Sequence, residues 1–270
     1  MTPINTRQHR IEPGSVVDLR SIATNVDGGL NKDDAEDALK PIHKQLDDLQ
    51  KLLFASESRG LLVVLQAMDT GGKDSTIRSV FGPLNPQGVR VFGFKVPSTL
   101  ERSHDYLWRV HQHVPQRGMI GVFNRSHYED VVVVRVKNLV APERWQKRYD
   151  HILHFEQMLV DEGIAIVKFF LHISKAYQKD RLERRLIKPD KRWKFNPDDL
   201  KERARWDEYM NAYEHAIARC STADAPWYVV PAETRWYRDL VIATVLRETL
   251  ESFQLSYPGY DYDPATIVIE

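Results

Sequence analysis

The stretch LLVVLQAMDTGGKDS, residues 61–75, decides the fold. Its first five residues are wholly aliphatic, the pattern of a strand covered on both faces in a parallel sheet. Gly71-Gly72-Lys73 follows, and then a helical stretch. A glycine turn between a buried strand and a helix start is a setting in which backbone N–H groups hold a phosphate while a lysine neutralises it. The pattern is an imperfect phosphate loop. Ala67 stands where the strict form has its first glycine, Asp74 where it has a magnesium-touching hydroxyl, and Ser75 comes one place late. A tight glycine turn carrying a surface lysine would read the same way.

Further short apolar runs lie at Val89 to Phe92, Met119 to Phe123, Ile164 to Leu171 and Trp227 to Val230. Five runs, separated by segments long enough for crossover helices, predict a doubly wound α/β fold with five parallel strands. Val131 to Val134 has strand propensity, but it follows the run ending at Phe123 so closely that a helix is expected there. Leu39, Ile42, Leu46, Leu49 and Leu53 recur in steps of three and four, which predicts a helix over about 33–54. The first 30 residues read as an irregular arm. At Asn196-Pro197-Asp198-Asp199 an N-cap asparagine, a proline at the first helical position and two carboxylates in the first turn predict another helix start.

The 270 residues are 42% hydrophobic and 28% charged, the composition of a globular chain rather than a disordered one. No aliphatic run approaches the roughly 18 to 20 residues of a membrane span. The first ten residues hold no apolar stretch that could act as a secretory signal, and Cys220 is the only cysteine, so a reducing cytoplasm is expected. With 38 basic and 38 acidic residues the net charge is zero, which argues against a protein that coats nucleic acid or membrane. From Lys175 to Phe195, however, nine basic residues face three acidic ones.

Two further elements carry candidate chemistry. In GMIGVFNRSHYED, residues 118–130, another apolar strand ends in polar residues. Ligands of open α/β sheets collect beyond the carboxyl ends of the strands, so Asn124 and Arg125 should face the same crevice as Lys73. Asn124 is neutral, so a magnesium ion would draw on Asp69, Glu129 and Asp130, although the last two could equally be a surface acidic pair. Then Arg181, Arg184, Arg185 and Lys188 are spaced i, i+3, i+4, i+7, one cationic stripe if helical. Such a stripe is either a solvated face or the seat of a polyanion. Trp193 and Phe195 beside it are candidates for stacking on a base. His111, His113, His151 and His154 lack a third ligand at recognised zinc spacing.

AMDTGGKDST (67–76), FNRSHYEDVVVVRV (123–136) and RLERRLIKPDKRWKF (181–195), in this order, resemble the family-2 polyphosphate kinases from about Leu61 to Tyr237. The resemblance implies a P-loop kinase-like fold with a helical lid, and Mg²⁺- or Mn²⁺-dependent phosphoryl transfer between inorganic polyphosphate and nucleotides. It divides the chain into an N-terminal arm and helix (1–60) and a catalytic domain (61–270) whose lid spans about 175–205. It places the family's loop aspartate and lysine on Asp69 and Lys73, its arginine after the second motif strand on Arg125 and its lid arginines on Arg181 and Arg185. With the reading of the residues, catalytic roles are expected of Asp69, Lys73, Arg125 and Arg185, phosphate binding of Gly71, Gly72, Lys73, Asp74, Ser75, Arg78, Arg125 and Arg135, and nucleotide or lid contacts of Arg181, Arg184, Arg185, Lys188 and Trp193. Asp69, Glu129 and Asp130, the available carboxylates, are the expected metal ligands. Glu129-Asp130 after Tyr128 is similar to the branch that accepts both AMP and ADP, with ATP as a product and guanine nucleotides as further candidates. A homo-oligomer, dimer or tetramer, is implied, with no nucleic acid or membrane partner. Read without the resemblance, the residues also fit an ATP-dependent nucleotide or small-molecule kinase, or a non-catalytic polyanion-binding module.

Overall fold

The computed structural model describes residues 4–269. All five apolar runs are strands of one sheet: β2 (Gly60–Ala67), β3 (Val89–Gly93), β4 (Ile120–Asn124), β5 (Ile164–His172) and β6 (Trp227–Pro231). They are mutually parallel. A sixth strand, β1 (Arg10–Ile11), corrects the expected count of five: it pairs antiparallel with β6, Arg10 opposite Tyr228 and Ile11 opposite Trp227. Two residues give no periodicity to read, so this edge was invisible in the sequence.

The sheet order is β1-β6-β5-β2-β4-β3. The chain fills one side of β2 first, with β3 and β4, and then crosses to the other for β5 and β6. That reversal leaves a crevice beyond the carboxyl end of β2, where ligands of such sheets bind. Leu61 to Leu65 of β2 are completely buried, as an all-aliphatic central strand must be.

Helices cover both faces. On one, α1 (Lys32–Ser56) packs along the last long helix, residues Arg235–Ser252. α1 starts at Asn31, whose side chain accepts a hydrogen bond from Asp34 N at 2.9 Å, and it buries Leu39, Ile42, Leu46 and Leu53. A fully buried leucine contributes roughly 2 kcal/mol. α2 (Lys73–Thr76) follows β2 and continues as a π turn, Ile77–Phe81. Two one-turn helices, α3 (Thr99–Arg102) and α4 (Trp108–His111), lie between β3 and β4. On the other face are α5 (Glu129–Val136), α6 (Pro142–Asp161) and α9 (Trp206–Cys220). The Val131 to Val134 run is indeed helical: the chain turns sharply after β4, and α5 buries Val131, Val132 and Val136.

Between β5 and α9 the chain forms α7 (Lys175–Ile187), a 3-10 turn (Pro189–Lys194) and α8 (Asp198–Ala204). α8 begins later than the sequence suggested. Asn196 Oδ1 accepts from Asp198 N at 3.1 Å, but Pro197 is still the flanking residue and the regular helix starts at Asp198. α10 (Arg235–Ser252) completes the chain's long helices and is buried along most of its length. No helix among the described residues is long and apolar enough to cross a membrane.

Candidate active site

The turn after β2 is built around two left-handed residues, Thr70 (φ 67°) and Gly72 (φ 102°). Gly71 is held by its neighbours: Gly71 N donates to Met68 O at 3.0 Å, and a Cβ there would stand 2.6 Å from that of Ala67. This compact turn directs Lys73 inward. Its ammonium donates to Ala67 O at 3.1 Å and is buried. Burial, and then repulsion from Arg125, push the Lys73 pKa down to about 8 against the pull of Asp69, Glu129 and Asp74.

The second motif meets the first across β2 and β4. Arg125, itself left-handed at φ 65°, hydrogen-bonds through its backbone N to Leu65 O at 3.0 Å. Its guanidinium donates to Asp69 Oδ1 at 2.8 Å and to Glu129 Oε2 at 3.1 Å. Glu129 and then Asp69 hold the charge on Arg125 firmly, raising its pKa. Asn124 Nδ2 donates to Asp74 Oδ1 at 2.8 Å, a further tie between the two motifs. A buried network fixes this turn from beneath. His127 lies 3.0 Å from Glu156 Oε1, Tyr128 Oη donates to that oxygen at 2.9 Å, and the Lys168 ammonium of β5 closes on the same carboxylate.

The third element faces the Gly71-Gly72-Lys73 turn over the open end of the sheet. Arg181, Arg184 and Arg185 of α7 line one cleft with Gly71, Gly72, Lys73, Asp74, Ser75, Arg78 and Arg125. Its volume is about 720 Å³. Ten basic side chains line it against four carboxylates, so it is strongly cationic in a chain of zero net charge. The consequence is visible on Arg181, whose pKa falls through burial and then through the nearby Arg235, Arg184 and Arg185, despite Tyr177. Arg185 is braced locally, donating to Lys194 O at 3.2 Å and Asp199 Oδ2 at 3.4 Å. Trp193 also lines the cleft and is 77% exposed, whereas Phe195 does not line it.

Three expected site residues lie elsewhere, and a fourth reaches the cleft only indirectly. Lys188 is the C-cap of α7 with ψ 117°, so the helical spacing that aligned it with Arg181 has ended. Arg135 turns instead to the neighbouring helices α9 and α6, with Nη1 2.8 Å from His215 Nδ1 and its guanidinium over the Trp145 ring. Asp130 receives Arg148 Nη1 at 2.9 Å and lines a separate cavity of about 530 Å³ with Tyr106 and Arg109. There burial lifts its pKa to about 6 against Arg148 and Arg109. Successive residues on a helix diverge by about 100°, which is why Glu129 turns to Arg125 and Asp130 away from it. Glu129 itself touches the cleft only through Arg125. Among the described residues no three His, Cys, Asp or Glu side chains gather into a metal site, so the set Asp69, Glu129 and Asp130 is not assembled.

The cleft also includes Lys95, Lys191, Lys194 and Arg235, which the sequence reading missed. Lys95 had a signal, a basic residue just past the carboxyl end of a parallel strand. Arg235 had none, because its place depends on where α10 docks.

Comparison with known proteins matches this geometry. The profile described as Polyphosphate kinase 2 (PPK2) matches residues 29–257. An AMP/ADP-polyphosphate phosphotransferase of Meiothermus ruber is 52% identical over 268 residues, covering 98% of this chain and 100% of that protein. An ADP-polyphosphate phosphotransferase of Rhodopseudomonas palustris is 44% identical, covering 94% and 93%. The crystal structure of Polyphosphate Kinase 2 from Arthrobacter aurescens TC1 superposes with a TM-score of 0.93 at 40% identity, over 98% of this chain and 97% of that one. The chain therefore belongs to the polyphosphate kinase 2 family of phosphotransferases.

Proposed function

We propose that this enzyme moves phosphate reversibly between inorganic polyphosphate and both AMP and ADP. The observation that carries the proposal is the facing of a phosphate loop and the α7 arginines across one cleft of about 720 Å³. Two polyanions must meet in line during such a transfer, and the protein's work is positioning and charge neutralisation rather than covalent chemistry. The name of the Meiothermus ruber relative supports acceptance of both nucleotides.

In this reading Lys73 exchanges its bond to Ala67 O for a phosphate oxygen. Arg125, clamped between Asp69 and Glu129, offers its remaining donors at a fixed angle. Arg181, Arg184 and Arg185 neutralise the second polyanion, and α7 to α8, about 175–205, acts as a lid. Asp69 is a positioning group rather than a base, since an acceptor phosphate with a second pKa near 6 is already largely ionised. The donor set fits Mg²⁺ only with phosphate and water supplying most of its ligands: Asp69 and Asp74 present carboxylates to the cleft and would hold it, while Asp130 is too far round α5 to take part. When bound, the ion screens the charge of the transferring group.

Purified protein with ADP, Mg²⁺ and polyphosphate, and no added ATP, should form ATP. With AMP in place of ADP it should form ADP. Absence of both products, with phosphate transferred from ATP to another acceptor, would replace polyphosphate by ATP as the donor. Use of ADP but not AMP would remove the dual specificity alone.

A further inference from the structure

We infer that Arg238 is a positioning residue of the phosphate loop, a buried guanidinium that fixes the turn at Gly72 and adds its charge to the anion site from behind. The inference rests on the phosphate-loop reading of the site and assigns a role to a residue outside all three sequence motifs.

Arg238 lies in the first turn and a half of α10 and is 1% exposed. Its Nε donates to Asp239 Oδ1 at 2.8 Å. Its Nη2 lies 2.7 Å from the same carboxylate oxygen without the alignment of a hydrogen bond. The guanidinium is thus only partly satisfied by its one carboxylate neighbour, an expensive condition for a buried charge. Its third nitrogen is pressed against the phosphate loop. A Cβ built on Gly72 would stand 2.2 Å from Arg238 Nη1 and 3.4 Å from Ser75 Oγ.

Gly72 is therefore glycine for two reasons, its left-handed φ and the guanidinium that occupies the space of a side chain. Two consequences follow. The planar group blocks relaxation of the turn into a conformation that would point Lys73 elsewhere. Its charge also sits in a dry setting, where a cation acts on the loop more strongly than a solvated arginine does. Arg235, one turn earlier on α10, lines the cleft itself, so this helix start delivers one arginine to the cleft and one to the turn at Gly72.

The competing account is that Arg238 only neutralises the buried Asp239. The double variant Arg238→Met, Asp239→Asn separates the two, since it removes both charges and keeps the bulk. Tripolyphosphate is the probe, its affinity read by calorimetry beside the thermal midpoint, because binding needs no turnover. The expected result is a midpoint within a few degrees of wild type and an affinity at least tenfold weaker. Arg238→Lys, which keeps a cation opposite Asp239, should recover part of that loss. Wild-type affinity in the double variant would overturn the inference. Should that variant fail to fold, Arg238→Lys decides alone: a fewfold or greater loss at an unchanged midpoint supports the role, and unchanged affinity overturns it. Failure of wild-type protein to bind tripolyphosphate at all would instead sink the phosphate-loop reading beneath it.

Discussion

Arg125 Nη2 donates to Asp69 Oδ1 across 2.8 Å, joining residues that the sequence separates by the whole of β3 and its flanking loops. Glu129 grips the same guanidinium from the other side at 3.1 Å. One arginine thereby joins the side chains of the first and second motifs at the cleft, beside the Asn124 to Asp74 bond and the β2–β4 pairing that align their backbones.

Replacing Arg125 by Ala should lower kcat/KM by about thirtyfold or more, roughly 2 kcal/mol of lost charge-assisted contact, with the far-ultraviolet circular dichroism unchanged. Asp69→Asn should reduce turnover to background, because the carboxylate that orients Arg125 is also one of those that would hold the proposed ion. Turnover within a few-fold of wild type in either well-folded variant would place the transfer elsewhere.

Lys73 gives the site a pH dependence. Its pKa is about 8 in the empty cleft, and a bound polyanion favours the charged form, so binding raises it. Steady-state kcat/KM should fall above about pH 8 while kcat persists to higher pH. The sign for stability is the opposite of a paired lysine: the unfolded chain, with its ordinary pKa near 10.4, binds more protons than the native one between about 8 and 10, so stability rises over that window. Lys73→Met should be inactive yet melt higher than wild type at pH 7, the gap closing towards pH 10. A lower midpoint at pH 7 would show the buried ammonium to be stabilising.

Asp130 should matter to stability and little to transfer. Burial raises its pKa to about 6, so its favourable contribution is present at acid pH and is lost as pH rises through 6. Asp130→Asn should therefore keep or raise the melting midpoint at pH 8, lose that advantage below pH 5, and leave the Mg²⁺ dependence of turnover unaltered. A weakened apparent affinity for Mg²⁺ would return Asp130 to the metal.

Arg185 tests the proposed lid. If it contacts the bound polyanions, Arg185→Ala should cost about thirtyfold in rate, and far less if it is a solvated charge held by Asp199. Hydrogen exchange across residues 175–205 should slow when nucleotide and polyphosphate are added together. Equal exchange with and without ligands, beside near-normal activity of the variant, would make this stretch an ordinary surface helix.

Legibility followed the range of the interactions involved. All five parallel strands, the α1 face and the helical character of Val131 to Val134 could be read because burial periodicity and strand-to-strand distance are local properties of the chain. The glycine turn between β2 and α2 was legible for the same reason: a buried strand, two glycines and a lysine lie within a few residues. So was the Arg181, Arg184, Arg185 stripe, whose spacing is that of a single helix face. Lys188 broke the pattern because α7 stops at Ile187: Pro189 pushes the residue before it out of helical backbone, a local signal that spacing alone overlooks.

What the sequence determined by itself was thus the α/β class, the strand–turn–helix that carries Lys73 and the family to which those motifs belong. The tertiary structure decided which charges share the cleft. Glu129 and Asp130 are adjacent in sequence, yet the helical rotation of about 100° per residue sends one to Arg125 and the other to Arg148. Arg235 reaches the cleft, and Arg238 the turn at Gly72, from a helix whose local sequence says nothing of where it docks. Their place is set by burial of apolar faces across the whole sheet, a driving force that is non-directional and proportional to area, and so cannot be assigned to any short stretch of residues.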